Sequence, residues 1–166
     1  MTDVRYIYRL APQPCDYVTP ADVTFVAFVG LSDGLAYLKL LRREFGWGGA
    51  VRAALKLASG SRAFFGFLSN GRFVTSLWAT ENSPRYPIES NACVLGPLLT
   101  RTERRGRGLA TALLRATVSC PAMSRYRAIF IDTMPSNIAS RRAIVRAGFV
   151  PFAVLRGRRI RKLTRN

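Results

Sequence analysis

Residues 95–110 read LGPLLTRTERRGRGLA, and this stretch decides how the rest of the chain is interpreted. Its first part is apolar and predicts a buried strand, whereas residues 109–120 have the composition of a helix. Between them, Gly106 and Gly108 alternate with arginines. Glycine lets the backbone approach a ligand closely, and a following helix points its positive end and unpaired N–H groups at the same place. The stretch therefore predicts a cradle for a pyrophosphate group.

Two common phosphate-binding motifs are excluded for this turn. A Walker loop requires a Gly-Lys-Ser/Thr that does not follow here, and the third glycine of the dinucleotide-binding Gly-x-Gly-x-x-Gly pattern is missing. A Gly-x-Gly in an arginine-rich turn is by itself also typical of an ordinary structural turn. A second pattern, residues 137–149 (NIASRRAIVRAGF), comes just after the next predicted strand, so the argument depends on the order and spacing of both.

The order of strand, Arg-Gly-Arg-Gly turn, helix, strand, Asn-x-x-Ser helix and Gly-Phe resembles the GNAT acetyltransferase superfamily over residues 95–149. The resemblance implies that the turn binds the pyrophosphate of acetyl-CoA. It also implies that the preceding strand pairs with the pantetheine arm and that the Asn-x-x-Ser helix flanks the thiol end. The residues it assigns to acetyl-CoA are Leu98, Leu99, Thr100, Arg105, Gly106, Arg107, Gly108, Leu109, Ala110, Asn137 and Ser140. The motif Leu95-Gly96-Pro97-Leu98-Leu99-Thr100 also looks like the branch linked to bacterial surface-polysaccharide synthesis, which would make the acceptor an amino-sugar nucleotide.

Two positions depart from the family pattern. Glu103 stands where the first motif position is often Gln or Arg, and Ile144 stands where many members place a Tyr that protonates the leaving thiolate. A thiolate with a pKa of about 8.5 needs little help from an acid, which lessens the consequence of the second departure.

The reaction implied by the resemblance is direct attack of a primary amine on a thioester. An amine with a pKa of about 8 to 10 is mostly protonated at neutral pH, so a base or desolvation must free it. The candidate bases, in order of preference, are Glu89, Asp132 and Glu81, with Tyr86 and Cys93 as further options. For each of them, an ordinary loop or core residue is the favoured interpretation. A backbone N–H near residues 98–100 is expected to stabilise the oxyanion.

The remaining pattern predicts an α+β fold in one domain over residues 1–166, with a basic tail at 156–166. The sheet is expected to be mixed and mostly antiparallel, flanked by helices, with a splayed strand before the turn. Asn70-Gly71 predicts a tight hairpin. The predicted strands cover 4–10, 62–69, 72–79, 92–100, 128–134 and 149–155, and the predicted helices cover 19–30, 32–46, 51–58, 109–120 and 137–147. The tail predicts either a clamp for an anion or, as we prefer, a frayed solvated end.

Composition narrows the chemistry further. The chain has 166 residues, no histidine and three cysteines without a CxxC pair, which excludes Ser-His-Asp and Cys-His catalysis and argues against zinc sites and a disulfide framework. The formal net charge of +17 indicates either an anionic partner or a generally basic solvated surface. The apolar run at 23–31 is too short to span a membrane, and the N-terminus lacks signal-peptide features, so we expect a cytoplasmic protein.

The sequence therefore predicts an acetyl-CoA-dependent N-acetyltransferase that acts on a small amine, expected to be anionic, without a metal. Two alternatives stay open: an N-acyltransferase that uses an acyl carrier protein or a longer acyl-CoA, and a catalytically weak, basic nucleic-acid- or ribosome-binding module. No aromatic-basic RNA-binding motif is visible, so nucleic acid is not favoured. A homodimer is compatible with the pattern.

Overall fold

The computed structural model describes residues 4–11, 17–81, 89–157 and 159–163. The strands are β1 (Val4–Leu10), β2 (Thr24–Phe28), β3 (Arg62–Ser69), β4 (Arg72–Glu81), β5 (Ala92–Leu95), β6 (Leu99–Thr100), β7 (Ala128–Thr133), β8 (Val150–Arg156) and β9 (Arg159–Lys162). The helices are α1 (Leu31–Ala36), α2 (Leu38–Ala58), α3 (Leu109–Ser119) and α4 (Ile138–Arg146). This is the predicted α+β arrangement.

All nine strands form one sheet in the order β2-β3-β4-β5-β7-β1-β8-β9, with β6 also paired to β4. Among the described pairs, only β5 and β7 run parallel, so the mixed and mostly antiparallel sheet is confirmed. The first strand, β1, lies between β7 and β8 and is antiparallel to both. β1 therefore connects β7 to β8 and β9 in the sheet.

The two sheet faces have separate cores. On one face, α3 and α4 cover a large cluster that includes Phe65, Leu77, Leu113 and Phe149. On the other face, α1 and α2 cover a cluster of aromatic and aliphatic side chains from β2, β3 and β4. Stacked rings of Phe28 and Phe64 belong to this second cluster.

The predicted hairpin is confirmed, and so are the predicted elements around the turn that contains Gly106 and Gly108, called the glycine turn below. Asn70 and Gly71 have φ angles of 50° and 68°, as a tight turn between β3 and β4 requires. The helices at 109–120 and 137–147 and the strands at 4–10, 128–134 and 149–155 are present with ends shifted by one or two residues. The predicted strand 92–100 is present as β5 and β6, interrupted at residues 96–98.

The predicted helix at 19–30 is wrong. The segment turns at Pro20, where the Val23 N–H donates to the Pro20 carbonyl, and then continues as β2. Phe25 stacks on Phe65 of β3, and Asp22 binds Arg104 instead of capping a helix. Pairing with the aromatic strand β3 therefore outweighs the helix-start signal.

The predicted helix stop at Gly46 is confirmed, because its φ of 69° and ψ of 175° are not helical and divide α2 into two helical segments across a kink. A further prediction needs correction. The basic tail was expected to be frayed, but β9 pairs with β8, and the Lys162 ammonium lies 5.7 Å from the centre of the Phe152 ring. Backbone pairing with β8 orders part of the tail, although most side chains of β9 stay exposed.

Candidate functional site

The sheet opens where β5 ends. Ser76 pairs with Leu99 and Ala79 with Leu95, so the two intervening residues of β4 face three residues of the opposite strand, 96–98. This extra residue makes a bulge. Ile131 is the last residue of β7 that pairs with β5, opposite Leu95, and β7 continues beyond it to Thr133. The bulge and the free end of β7 therefore form a gap in the middle of the sheet.

The bulge leaves one backbone donor for the gap. The Gly96 N–H donates to the Trp78 carbonyl at 2.8 Å, and Pro97 has no N–H. The Arg101 N–H donates to the Val74 carbonyl, and alternation along the strand then directs the Leu99 N–H to β4 and the Leu98 N–H away from it. No described residue accepts a hydrogen bond from the Leu98 N–H. This donor therefore faces the gap.

The glycine turn lies at the far end of β6 and leads into α3. Gly106 and Gly108 have φ angles of 77° and 76°, in the left-handed region that other residues avoid. A Cβ on either glycine would meet no atom within 4 Å, so the backbone there borders open space. Gly108 is the N-cap of α3 and supplies no side-chain cap, which leaves the first N–H groups of the helix unpaired. The turn can accept an anion of the size of a pyrophosphate.

The arginines around the turn divide into two groups. Arg101 binds Glu44 at 2.6 Å, and Arg104 binds Asp22 at 2.6 Å, so both hold the turn to the rest of the protein. The Arg105 Nε donates to the Thr100 carbonyl, which joins the end of β6 to the turn. Arg107 is exposed and forms no ion pair with any described residue. It is therefore free to bind an anion held by the turn.

The start of α4 borders the other side of the gap. Asn137 caps the helix, and its Oδ1 accepts a hydrogen bond from the Ser140 N–H at 3.0 Å. Both residues line the cavity described below. Ile144, at the position of the family Tyr, is fully buried in the core between α4 and the sheet. It carries no group that exchanges a proton.

A cavity of about 680 Å³ lies at the gap. This volume is within the usual range for small-molecule sites. Its walls come from the bulge, from strands β1, β3, β4 and β5, from the end of β7, from the start of α4 and from the end of α2. The lining residues are Arg5, Lys56, Arg62, Trp78, Thr80, Val94, Leu95, Gly96, Pro97, Leu98, Ile131, Asp132, Thr133, Met134, Asn137 and Ser140.

Asp132 is the candidate base that lines this cavity. Its Oδ2 accepts a hydrogen bond from Arg5 Nη1 at 2.9 Å, and its side chain is 12% exposed. It stands on β7 beyond the last β5 pair, at the point where the sheet opens. The cavity and the gap thus bring together Asp132, the Leu98 N–H, Asn137 and Ser140.

The other candidate bases lie elsewhere. Glu81 accepts a hydrogen bond from the Tyr126 hydroxyl at 3.4 Å and lies 3.6 Å from Arg125. Glu89 pairs with Arg9 at 3.3 Å. Neither carboxylate is among the residues that line the cavity. Tyr86 lies outside the described residues.

Cys93 does not provide a reactive thiolate. Burial raises the pKa of its thiol to about 12, so the neutral thiol predominates at physiological pH. It is one of the core residues beneath α3 and α4. Among the described residues, no cluster of three or more His, Cys, Asp or Glu could hold a metal ion. Within the same residues, no helix is long and apolar enough to cross a membrane.

Sequence reasoning missed the three cations and the one aromatic residue that line the cavity. Lys56 and Trp78 face each other across the end of α2 and β4, with the Lys56 ammonium 5.2 Å from the ring centre. Arg62 begins β3, and Arg5 belongs to β1. These residues are far apart in the sequence, and only the strand order brings them together. In the sequence, Arg62 and Arg5 are charged residues of predicted strands, and such a pattern indicates no more than a polar face of the strand.

Residues 36–149 match the family model described as "Acetyltransferase (GNAT) family". No curated protein matches the chain.

Among solved structures, an acetyltransferase from the GNAT family of Colwellia psychrerythraea has 16% identity and a TM-score of 0.59, over 89% of this chain and 52% of that one. A GCN5-related N-acetyltransferase from Sphaerobacter thermophilus has 17% identity and a TM-score of 0.65, over 93% and 50%. The aminoglycoside acetyltransferase meta-AAC0020, from an uncultured soil metagenomic sample and in complex with sisomicin, has 13% identity and a TM-score of 0.58, over 76% and 87%. The chain spans about half the length of the first two. At these identities the likeness concerns the fold.

Proposed function

Because the chain belongs to the GNAT acetyltransferase family, we propose that it transfers an acetyl group from acetyl-CoA to a primary amine of a small molecule by direct attack. The observation that carries the proposal is the continuity of three features along one strand. The glycine turn, β6 and the bulge follow one another over residues 95–108, and the bulge opens into a cavity with a carboxylate. A donor bound by its pyrophosphate at the turn would extend along β6 and present its thioester at the bulge.

In this proposal, Asp132 accepts the proton that the attacking amine loses. The carboxylate lines the cavity, and Arg5 fixes its orientation through the 2.9 Å hydrogen bond. A side chain that is 12% exposed has little water around it, which favours a proton transfer between neighbouring groups over exchange with solvent. Glu89 and Glu81 remain candidates from the sequence, but their positions outside the cavity lining favour Asp132.

The Leu98 N–H supplies the donor for the oxyanion that forms when the amine attacks. It is a backbone group of the bulge directly before β6, which pairs with β4, so it need not reorganise during the reaction. The Thr75 hydroxyl donates to the Leu99 carbonyl at 2.7 Å and helps to fix this part of the strand. Because Ile144 carries no acidic group, the thiolate leaves without a proton from that position or takes one from water.

Replacing Leu98 by proline removes the N–H and is expected to lower kcat by roughly 10²- to 10³-fold, the usual effect of losing one oxyanion donor. Leu98→Ala is the matched control, because it shortens the same side chain and keeps the N–H. Thiol release from acetyl-CoA measures turnover, and circular dichroism with the acetyl-CoA Kd verifies that both variants fold and bind. Equal turnover in the two variants would show that this donor has no role.

The proposal as a whole is tested by incubating the protein with acetyl-CoA and a panel of primary amines and by detecting N-acetylated products by mass spectrometry. The amino-sugar nucleotides expected from the polysaccharide-linked resemblance come first in the panel. If the folded protein binds acetyl-CoA but acetylates no amine of the panel, the result would favour an acyl-carrier-protein donor or a longer acyl group. If the folded protein does not bind acetyl-CoA, the result would favour the nucleic-acid-binding alternative.

The cationic lining argues against a long acyl chain. Arg5, Lys56 and Arg62 all line the cavity, and burying aliphatic carbon against charged groups gives little hydrophobic stabilisation. We also propose that the protein is cytoplasmic and that two subunits pair through a sheet edge. The edge strands available for pairing are β2 and β9.

A further inference from the structure

One wall of the cavity carries positive charge that no described carboxylate neutralises. Lys56 and Arg62 line this wall together with Trp78 and Thr80. The ion pairs of the described residues join Arg5 to Asp132 and other arginines to other acids, and none includes Lys56 or Arg62. The cavity therefore holds three cations and one carboxylate, and that carboxylate is already paired.

None of the acidic residues that the structure describes forms an ion pair with Lys56 or Arg62. The sequence has nine acidic residues against 26 cations. Those that pair are bound to arginines other than Arg62, and Asp33 accepts hydrogen bonds from the backbone before α1. Asp3 and Asp16 lie outside the described residues. A concave surface with unneutralised cations concentrates anions by its electrostatic field.

The wall is held in place. The Trp78 ring lies 5.2 Å from the Lys56 ammonium, close enough for a cation–π interaction that restrains the side chain. Arg62 is in register with Thr80 on β4, so the strand pairing fixes the position of its backbone. Both cations are thus directed to one region of the cavity by neighbours that do not neutralise them.

Register across the sheet gives the separation between this wall and the proposed base. Arg62 pairs with Thr80, and Thr80 pairs with Val94. Val94 pairs with Phe130 of β7, the strand that carries Asp132. Three strand spacings of about 4.8 Å separate the backbone of Arg62 from β7 by about 14 Å. Because the two backbones are this far apart and Arg5 holds the Asp132 carboxylate, an acceptor that reaches both Arg62 and Asp132 carries its anionic group several bonds from its amine.

We infer that Lys56 and Arg62 bind a phosphate or carboxylate of the acceptor, so the acceptor is a primary amine with an anionic group several bonds away. The inference rests on the proposed function for the role of the amine. It disfavours polycationic acceptors, which the two unneutralised cations Lys56 and Arg62 would repel.

The test uses Trp78 as a reporter of this wall. The chain has two tryptophans, and Trp47→Phe leaves Trp78 as the single emitter next to Lys56. The protein is saturated with CoA so that the glycine turn is occupied. It is then titrated with glucosamine 6-phosphate, with glucosamine and with 6-aminohexanoate. Calorimetry on the same samples detects any binding that leaves the emission unchanged.

We expect saturable binding of glucosamine 6-phosphate with at least about tenfold higher affinity than glucosamine, as expected for charge-assisted hydrogen bonds. Lys56→Gln/Arg62→Gln should abolish the difference. Arg43→Gln/Arg52→Gln, which removes two exposed charges of α2 outside the cavity lining, should keep it. Binding of 6-aminohexanoate would show that a carboxylate suffices, and its absence would assign phosphate.

Equal affinity for glucosamine and its phosphate, or a preference that survives in Lys56→Gln/Arg62→Gln, would overturn the inference. The proposed function fails in a different way. The transferase proposal fails if CoA does not bind or if no amine is acetylated. The anion site stands in either case if glucosamine 6-phosphate still binds at this wall. If neutral or cationic amines are acetylated and the double variant changes neither KM nor kcat for them, the transferase stands and the anion site fails.

Discussion

Acetyl-CoA should no longer raise the Tm of the protein when Arg107 and Gly108 are both replaced by glutamate. The two carboxylates would stand where the pyrophosphate is proposed to bind, and Gly108 has a φ of 76° that a side chain adopts only with strain. We expect the affinity to fall by at least about a hundredfold, since two favourable charge-assisted contacts become repulsive. Differential scanning fluorimetry with and without acetyl-CoA measures the effect, because a ligand that binds the folded state alone stabilises it.

Two control variants separate charge from strain. Arg127→Glu reverses one exposed charge outside the turn and the cavity lining and should leave the acetyl-CoA shift intact. Gly108→Ala keeps the strain without adding a carboxylate and should give an intermediate affinity. An unchanged acetyl-CoA shift in the double glutamate variant would mean that the pyrophosphate does not bind at this turn.

Asp132→Asn should lower kcat by about 10²- to 10⁴-fold while acetyl-CoA binds as before, because the amide cannot accept the proton of the attacking amine. The measurement is steady-state turnover with the best amine of the panel, together with the calorimetric Kd for acetyl-CoA. The amide is nearly the same size, and its oxygen still accepts the hydrogen bond from Arg5. The loss is therefore expected in kcat and not in folding.

Glu89→Gln and Glu81→Gln are the matched controls for this variant. Both remove a carboxylate that pairs with an arginine outside the cavity lining, so turnover should stay within about twofold of the unmodified protein. If Glu89→Gln lowers turnover and Asp132→Asn does not, the proton acceptor is Glu89. In that case Asp132 serves to position Arg5.

The part of the fold between residues 92 and 156 could be predicted because local signals agree with tertiary packing there. Gly106 and Gly108 need left-handed backbone, Asn137 caps a helix, and short apolar runs form the central strands. The same agreement holds at the hairpin of Asn70 and Gly71. In these segments, spacing along the chain reports directly on which residues meet.

The N-terminal segment shows where such signals fail. Pro20 and Asp22 have the form of a helix start, yet residues 24–28 join the sheet because β3 offers Phe64 and Phe65 as ring partners. The gain from that packing depends on a strand about 40 residues away, which no local pattern includes.

The cavity wall was missed for the same physical reason. Lys56 ends a helix, Arg62 begins the next strand, and Trp78 follows in the hairpin, so each has an ordinary local explanation. They form a cationic wall because the sheet order brings them together and because no carboxylate among the described residues pairs with the two cations. Arg5 reaches Asp132 because β1 lies beside β7, a strand order that the sequence pattern does not contain.

The central claim is tested most directly by isothermal titration of acetyl-CoA into the unmodified protein at physiological salt. The account predicts one site with micromolar affinity that changes little between low and physiological salt, since backbone N–H groups of the turn supply much of the binding. Absence of binding by the folded protein would contradict it. So would an affinity that collapses steeply with salt, as expected for diffuse contacts between arginines and a polyanion.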